Sequence, residues 1–176
     1  YAQAYLSDGA PLAADSITVS PYLGYGSLAP ALDLAEAGGR GVFVLALTSN
    51  PEGTTVQHAV SGERAVAAEV VEGVTASNAA ARGEGGLGSI GLVVGATVGE
   101  AVSRLGIDLL RANGPLLAPG VGAQGAGATE LESVFGPARR HVLASTSRGV
   151  LKAGPSIEAL RAAALAATHE AAAALR

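Results

Sequence analysis

Residues 41–48 read GVFVLALT, an apolar run that ends at the polar turn Thr48-Ser49-Asn50-Pro51. The run is rich in Val and Leu and does not alternate with polar residues, which is typical of a parallel strand covered on both faces. Four further runs share this pattern, and each also ends in a polar or glycine-rich turn. They are residues 16–20, 89–96, 115–118 and 141–145. We therefore predict a parallel sheet of five strands.

Helix-like stretches alternate with these runs, at residues 28–37, 62–80, 99–105, 129–135 and 156–175. Ser27 and Ser156 are candidate N-caps for the first and last of them. Strand–helix alternation with polar turns at the strand ends predicts either an α/β barrel or an open doubly wound sheet. Five such units do not close an eight-stranded barrel. Either the sheet is open, or about three units lie outside this sequence.

Composition excludes several classes of function. Of the 176 residues, 49% are hydrophobic and 15% charged, which is too apolar for a disordered chain. No apolar run reaches the ~18 residues of a membrane-spanning helix. A net charge of −4 and few aromatic residues argue against a nucleic-acid partner. Cysteine is absent, and three scattered histidines lack metal-ligand spacing, so we expect no metal site. No signal-peptide pattern opens the sequence, so we expect a cytoplasmic protein.

The glycine-rich segment 119–126, PGVGAQGA, follows the fourth apolar run. Glycines let backbone N–H groups approach a ligand closely, and successive N–H groups form an anion-binding nest. Gln124 could donate a hydrogen bond from its amide to a phosphate oxygen. A glycine-rich loop without a ligand fits the spacing equally well.

Two other turns are candidate binding segments. Arg148, with Ser147 before it, follows the last run, where its guanidinium could pair with a phosphate through two hydrogen bonds. A surface arginine at a helix end is the alternative. Ser49 follows the strand at 41–48 and could hydrogen-bond a polar heterocycle, but an ordinary Ser/Asn-Pro turn fits the local sequence better.

These segments together resemble the bacterial, actinobacterial-type branch of the orotidine 5′-phosphate decarboxylases. The resemblance covers nearly the whole chain in the right order, and it includes the last strand with Ser147-Arg148. The similar segments are residues 19–28 (VSPYLGYGSL), 41–53 (GVFVLALTSNPEG), 91–97 (GLVVGAT) and 116–125 (LLAPGVGAQG).

The resemblance implies a (β/α)8 barrel, of which residues 1–176 supply about strands four to eight as the C-terminal part of a single domain. It implies decarboxylation of orotidine 5′-phosphate to uridine 5′-phosphate in pyrimidine biosynthesis, without metal or organic cofactor, by a homodimer. It also implies roles for the substrate-binding residues. Gln124, Arg148 and the Ser147 amide would bind the phosphate, Ser49 the pyrimidine, and Pro119 and Val121 the apolar side of the pocket.

The sequence departs from the family at its catalytic motif, Asp-x-Lys-x-x-Asp. The single lysine, Lys152, follows the last strand and has no acids at the required offsets. We therefore expect the catalytic lysine to lie outside residues 1–176, and this segment alone to be inactive. Two alternatives stay open, which are another phosphosugar enzyme on a related barrel and a non-catalytic phosphate-binding fragment.

Overall fold

The structure is a computed structural model that describes residues 1–121 and 126–176. Within these residues five strands form one parallel sheet in the order β1-β2-β5-β6-β7. The strands of this sheet lie side by side in the order in which they occur along the chain. A doubly wound sheet would instead show a reversal of the strand order. The sheet is therefore a segment of an α/β barrel, as predicted. Its strands are β1 (Ser16–Val19), β2 (Gly41–Leu47), β5 (Ile90–Val94), β6 (Leu116–Pro119) and β7 (Val142–Ser145).

Nine α-helices are assigned in the described residues, with three 3-10 helices between them. The helices α2 and α4 pack against β2, and α4 also contacts β5. The α-helices are α1 (Ala2–Leu6), α2 (Ala29–Ala37), α3 (Thr54–Gln57), α4 (Val66–Ser77), α5 (Ala79–Gly83), α6 (Ala101–Arg104), α7 (Ala128–Phe135), α8 (Arg148–Leu151) and α9 (Ile157–Ala174). The 3-10 helices are Tyr25–Leu28, Pro51–Gly53 and Gly136–His141.

The two faces of the sheet differ in burial. Val42 and Val44 of β2 are fully buried, whereas Phe43 and Leu45 between them are only partly covered. The strand register continues the buried row across the sheet, because Val44 lies opposite Leu92 of β5. Only the central strand β5 is buried at every position, so the expectation of strands covered on both faces is wrong for β1 and β7. These two strands lie at the edges of the described sheet and have one neighbour each.

Two details of the predicted helices are wrong. Ser27 does not cap α2, since it lies within a 3-10 helix and its hydroxyl donates to the Gly24 carbonyl at 2.7 Å. The helix predicted over 62–80 begins later, because a short hairpin precedes it. In that hairpin β3 (Val60–Ser61) pairs with β4 (Arg64–Ala65) around a glycine with a φ of +66°, a value that favours glycine. The cap at Ser156 is confirmed, since its hydroxyl accepts the Ala159 amide at 3.4 Å.

One buried amide joins three segments at the start of β5. Asn78, 2% exposed, donates from Nδ2 to the carbonyls of Ile90 at 2.7 Å and Ala112 at 2.9 Å. Its Oδ1 accepts the Ile90 amide at 3.3 Å. A side chain at Gly88 or Gly114 would collide with this group, so both positions require glycine. Asn78 therefore fixes the entry of the central strand.

None of the helices in the described parts of the chain is long and apolar enough to cross a membrane.

Candidate functional site

A cavity of about 390 Å³ opens at the carboxyl ends of β6 and β7. The two strands are paired up to their last residues, where Pro119 lies opposite Ser145. The loops that follow both strands therefore leave the sheet side by side and form the cavity walls. Its lining residues are Pro119, Gly120, Val121, Ser145, Thr146, Ser147, Arg148, Gly149 and Lys152.

The charges of this cavity are all of one sign. Arg148 begins α8 and Lys152 follows its last residue, so the two cations are separated by one helical turn. The described lining contains no carboxylate. Among residues 1–121 and 126–176, Arg148 also forms no ion pair. Two cations with three neighbouring hydroxyl groups suit a phosphate, since a guanidinium binds phosphate oxygens through two parallel hydrogen bonds.

The loop after β6 begins with a conformation that favours glycine, because Gly120 has a φ of +95°. Val121 and Ala126 are both buried and form an isolated parallel bridge across the loop. This bridge fixes the points where the loop leaves and re-enters the fold. Gln124, predicted to bind the phosphate, lies outside the described residues.

Ser49 lies at the same edge of the sheet, after β2. Its backbone packs closely on Gly95, where a Cβ would lie 3.2 Å from the Ser49 amide nitrogen. The Ala96 amide in turn donates to the Pro119 carbonyl at 2.9 Å. Ser49 is therefore linked to the cavity through the end of β5, but it is not one of the residues that line the cavity.

A chain of side-chain hydrogen bonds holds the turn that contains Ser49. Gln57 accepts the Thr48 amide at 3.0 Å and donates to the Thr48 hydroxyl at 2.7 Å. That hydroxyl donates to Asn50 Oδ1 at 2.6 Å, and Asn50 Nδ2 donates to Glu52 at 3.3 Å. Hydrogen bonds from the backbone N–H of Glu52 and from Asn50 lower the pKa of the Glu52 carboxyl. An ionised carboxylate at Glu52 therefore ends the chain as an acceptor.

The structure thus brings together four of the six predicted binding residues, Pro119, Val121, Ser147 and Arg148. Sequence reasoning overlooked Lys152 as a lining residue. The available signal was its spacing of four residues from Arg148, which places two side chains on one face of a helical turn.

Within 1–121 and 126–176, no cluster of three His, Asp or Glu side chains is arranged to hold a metal ion. His141 ends the 3-10 helix that precedes β7, and burial followed by the charge of Arg140 lowers its pKa.

The fold and the cavity define an α/β-barrel protein with a cationic site at the carboxyl ends of β6 and β7. A sequence model of the orotidine 5′-phosphate decarboxylase / HUMPS family matches residues 1–163. The chain belongs to this family.

Similar proteins agree with this assignment. The orotidine 5′-phosphate decarboxylases of Streptomyces coelicolor and Salinispora arenicola are each 58% identical, over 166 and 165 residues. Both alignments cover 93% of this chain and 57% of the relative. The chain therefore spans a little over half the length of these curated relatives.

Solved structures match the chain over 99% of its length. A crystal structure from Streptomyces avermitilis, proposed to be an orotidine 5′-phosphate decarboxylase, has a TM-score of 0.90 at 55% identity and is covered over 59% of its chain. The OMP decarboxylase of Leishmania donovani has a TM-score of 0.72 at 30% identity and is covered over 62%. The barrel prediction and the family resemblance are thereby confirmed.

Proposed function

We propose that this chain is part of an orotidine 5′-phosphate decarboxylase and forms the side of the active site that binds the phosphate and the pyrimidine. The observation that carries the proposal is the cationic cavity at the ends of β6 and β7, in a chain of this family. The complete enzyme would release CO2 from C6 of orotidine 5′-phosphate and yield uridine 5′-phosphate.

Each binding residue has a proposed part. Arg148, Gln124 and the Ser147 amide bind the phosphate oxygens. Lys152 adds a second positive charge in the cavity that Arg148 lines. Pro119 and Val121 form the apolar wall, and Ser49 binds the pyrimidine. The lysine that protonates C6 would come from residues outside 1–176, so residues 1–176 alone would bind without catalysis.

Binding at the phosphate assists chemistry at C6, although the two are remote from each other. Binding energy gained at a non-reacting group can hold the reacting ring in place and support closure of loops over it. Phosphate contacts should therefore affect kcat/KM as well as simple affinity.

We also propose that residues 1–176 are the C-terminal part of one barrel domain. Apolar residues on uncovered surfaces support this, since Leu143 on β7 is 51% exposed, and Ile157 and Leu165 on α9 are 77% and 55% exposed. Further strands beside β1 and β7 would cover such surfaces and pair the sheet edges. A homodimer and a cytoplasmic location remain predictions.

The test is turnover of orotidine 5′-phosphate by the complete protein, with wild type, Arg148→Ala and Gln124→Ala. Hydrogen bonds to charged groups contribute about 1.5–3 kcal/mol, so kcat/KM should fall roughly 10- to 150-fold in the arginine variant. Arg148→Lys keeps the charge but loses the paired hydrogen bonds, and should lie between wild type and alanine.

Arg161→Ala is the matched control, because Arg161 is an exposed arginine on α9 that does not line the cavity. Unchanged kcat/KM in both Arg148→Ala and Gln124→Ala would contradict the assignment. Turnover of sugar phosphates, but not of orotidine 5′-phosphate, would instead support the phosphosugar alternative.

A further inference from the structure

The turn Thr48-Ser49-Asn50 is closed by its own side chains. Thr48 and Asn50, which flank Ser49, are joined across it by a hydrogen bond of 2.6 Å. Ser49 takes no part in this hydrogen bond, and it is exposed. A three-residue turn closed in this way has few conformations available, so the direction of the central side chain is restricted.

Gln57 holds this closed turn from outside. It bonds to both the amide and the hydroxyl of Thr48, at 3.0 Å and 2.7 Å, and it is half-buried nine residues further along the chain. Because the hydroxyl oxygen of Thr48 accepts a hydrogen bond from Gln57, the hydroxyl proton of Thr48 is directed to Asn50. The orientation of the Thr48 hydroxyl, and so the closure over Ser49, therefore depends on the Gln57 amide.

The fold provides room for this contact. A Cβ at Gly53 would lie 2.8 Å from Thr48 Oγ1 and 2.9 Å from Gln57 Nε2, so a larger residue there would displace the bond. On the opposite side Gly95 lets the Ser49 backbone lie against the end of β5. Ser49 is thus fixed from two directions, and a Cβ at either facing glycine would crowd the contact, more severely at Gly53 than at Gly95.

We propose that Gln57 is a positioning residue, which acts through Thr48 to fix Ser49 at the carboxyl edge of the sheet and so determines affinity for the pyrimidine but not for the phosphate. The inference rests on the proposed function, since it takes Ser49 as the pyrimidine contact. Gln57 need not touch the substrate for this role.

The test uses the complete protein and measures KM and kcat for orotidine 5′-phosphate, with inhibition constants for uridine 5′-phosphate and ribose 5-phosphate. Ribose 5-phosphate carries the phosphate without the pyrimidine. Gln57→Ala should raise KM and the uridine 5′-phosphate constant about tenfold, equal to about 1.4 kcal/mol. The ribose 5-phosphate constant should stay within about twofold of wild type.

Further variants separate positioning from simple damage to the fold. Gly53→Ala should reproduce the effect of Gln57→Ala, because it displaces the same bond. Thr48→Ser keeps the hydroxyl and should stay near wild type. Gln3→Ala is the matched control, since Gln3 lies exposed on α1. An equal loss of affinity for both inhibitors, or none for uridine 5′-phosphate, would overturn the proposal.

Failure of the proposed function has a different result. If wild type does not decarboxylate orotidine 5′-phosphate, that function is wrong, whatever Gln57 does. Hydrogen exchange of the Thr48 amide then still tests the geometry. Protection in wild type that is lost in Gln57→Ala supports the contact, and exchange that is equal in both contradicts it.

Discussion

Replacement of Asn78 by alanine should destabilise the protein strongly, although Asn78 lies far from the carboxyl edge of the sheet. The variant removes two donated bonds, to Ile90 and Ala112, and one accepted bond, from the Ile90 amide. All these groups are buried and would lose their partner without gaining water. At about 1 kcal/mol for each net hydrogen bond, the loss is about 3 kcal/mol of unfolding free energy.

Urea denaturation followed by circular dichroism measures this loss. Arg82→Ala is the control, because Arg82 reaches the neighbouring carbonyl of Arg111 at 3.0 Å from an exposed position. Its effect should stay within about 0.5 kcal/mol. If the two variants differed from wild type by the same small amount, burial would not be what makes the Asn78 bonds important, and the reasoning would be refuted.

Two further predictions concern packing and pH. Gly91→Ala should cost about 1–3 kcal/mol, since the new Cβ would lie 2.5 Å from the Pro115 carbonyl, whereas Gly83→Ala has open space and should be nearly neutral in the same urea assay. Burial, then the charge of Arg140, lowers the pKa of His141 below its ordinary 6.5. The unfolded chain therefore binds this proton more tightly, so stability is full above pH 6.5 and falls below it. His141→Gln should reduce this loss of stability at low pH. Urea midpoints measured above and below pH 6.5 check it, and an equal fall of the midpoint in wild type and variant would contradict the prediction.

The sheet could be predicted from sequence because its residues carry the pattern locally. The run at 41–48 is free of polar residues up to Leu47, and the observed strand, Gly41–Leu47, differs from it by one residue. The hairpin before α4 could not be found in this way. Its strands of two residues are too short to show alternation, and their alanine and valine residues continue the apolar pattern of the helix that follows.

A residue of the site could be predicted only where its side-chain type and its place directly after a strand both indicated a binding role. Arg148 is a charged residue directly after a predicted strand, so its place in a cavity at the sheet edge could be expected. Gln57 gave no such signal, since its partner Thr48 is nine residues away and the bond depends on how the turn folds back. Asn78 likewise gave no signal, since its partners Ile90 and Ala112 lie 12 and 34 residues further along the chain.

The most direct test of the central claim is the binding of uridine 5′-phosphate compared with uridine, by calorimetry, in the complete protein and in Arg148→Ala. The ratio of the affinity for uridine 5′-phosphate to the affinity for uridine should be roughly 10- to 150-fold smaller in Arg148→Ala than in wild type. The affinity for uridine itself should stay unchanged. An equal phosphate gain in both proteins would show that Arg148 and its cavity do not bind the phosphate.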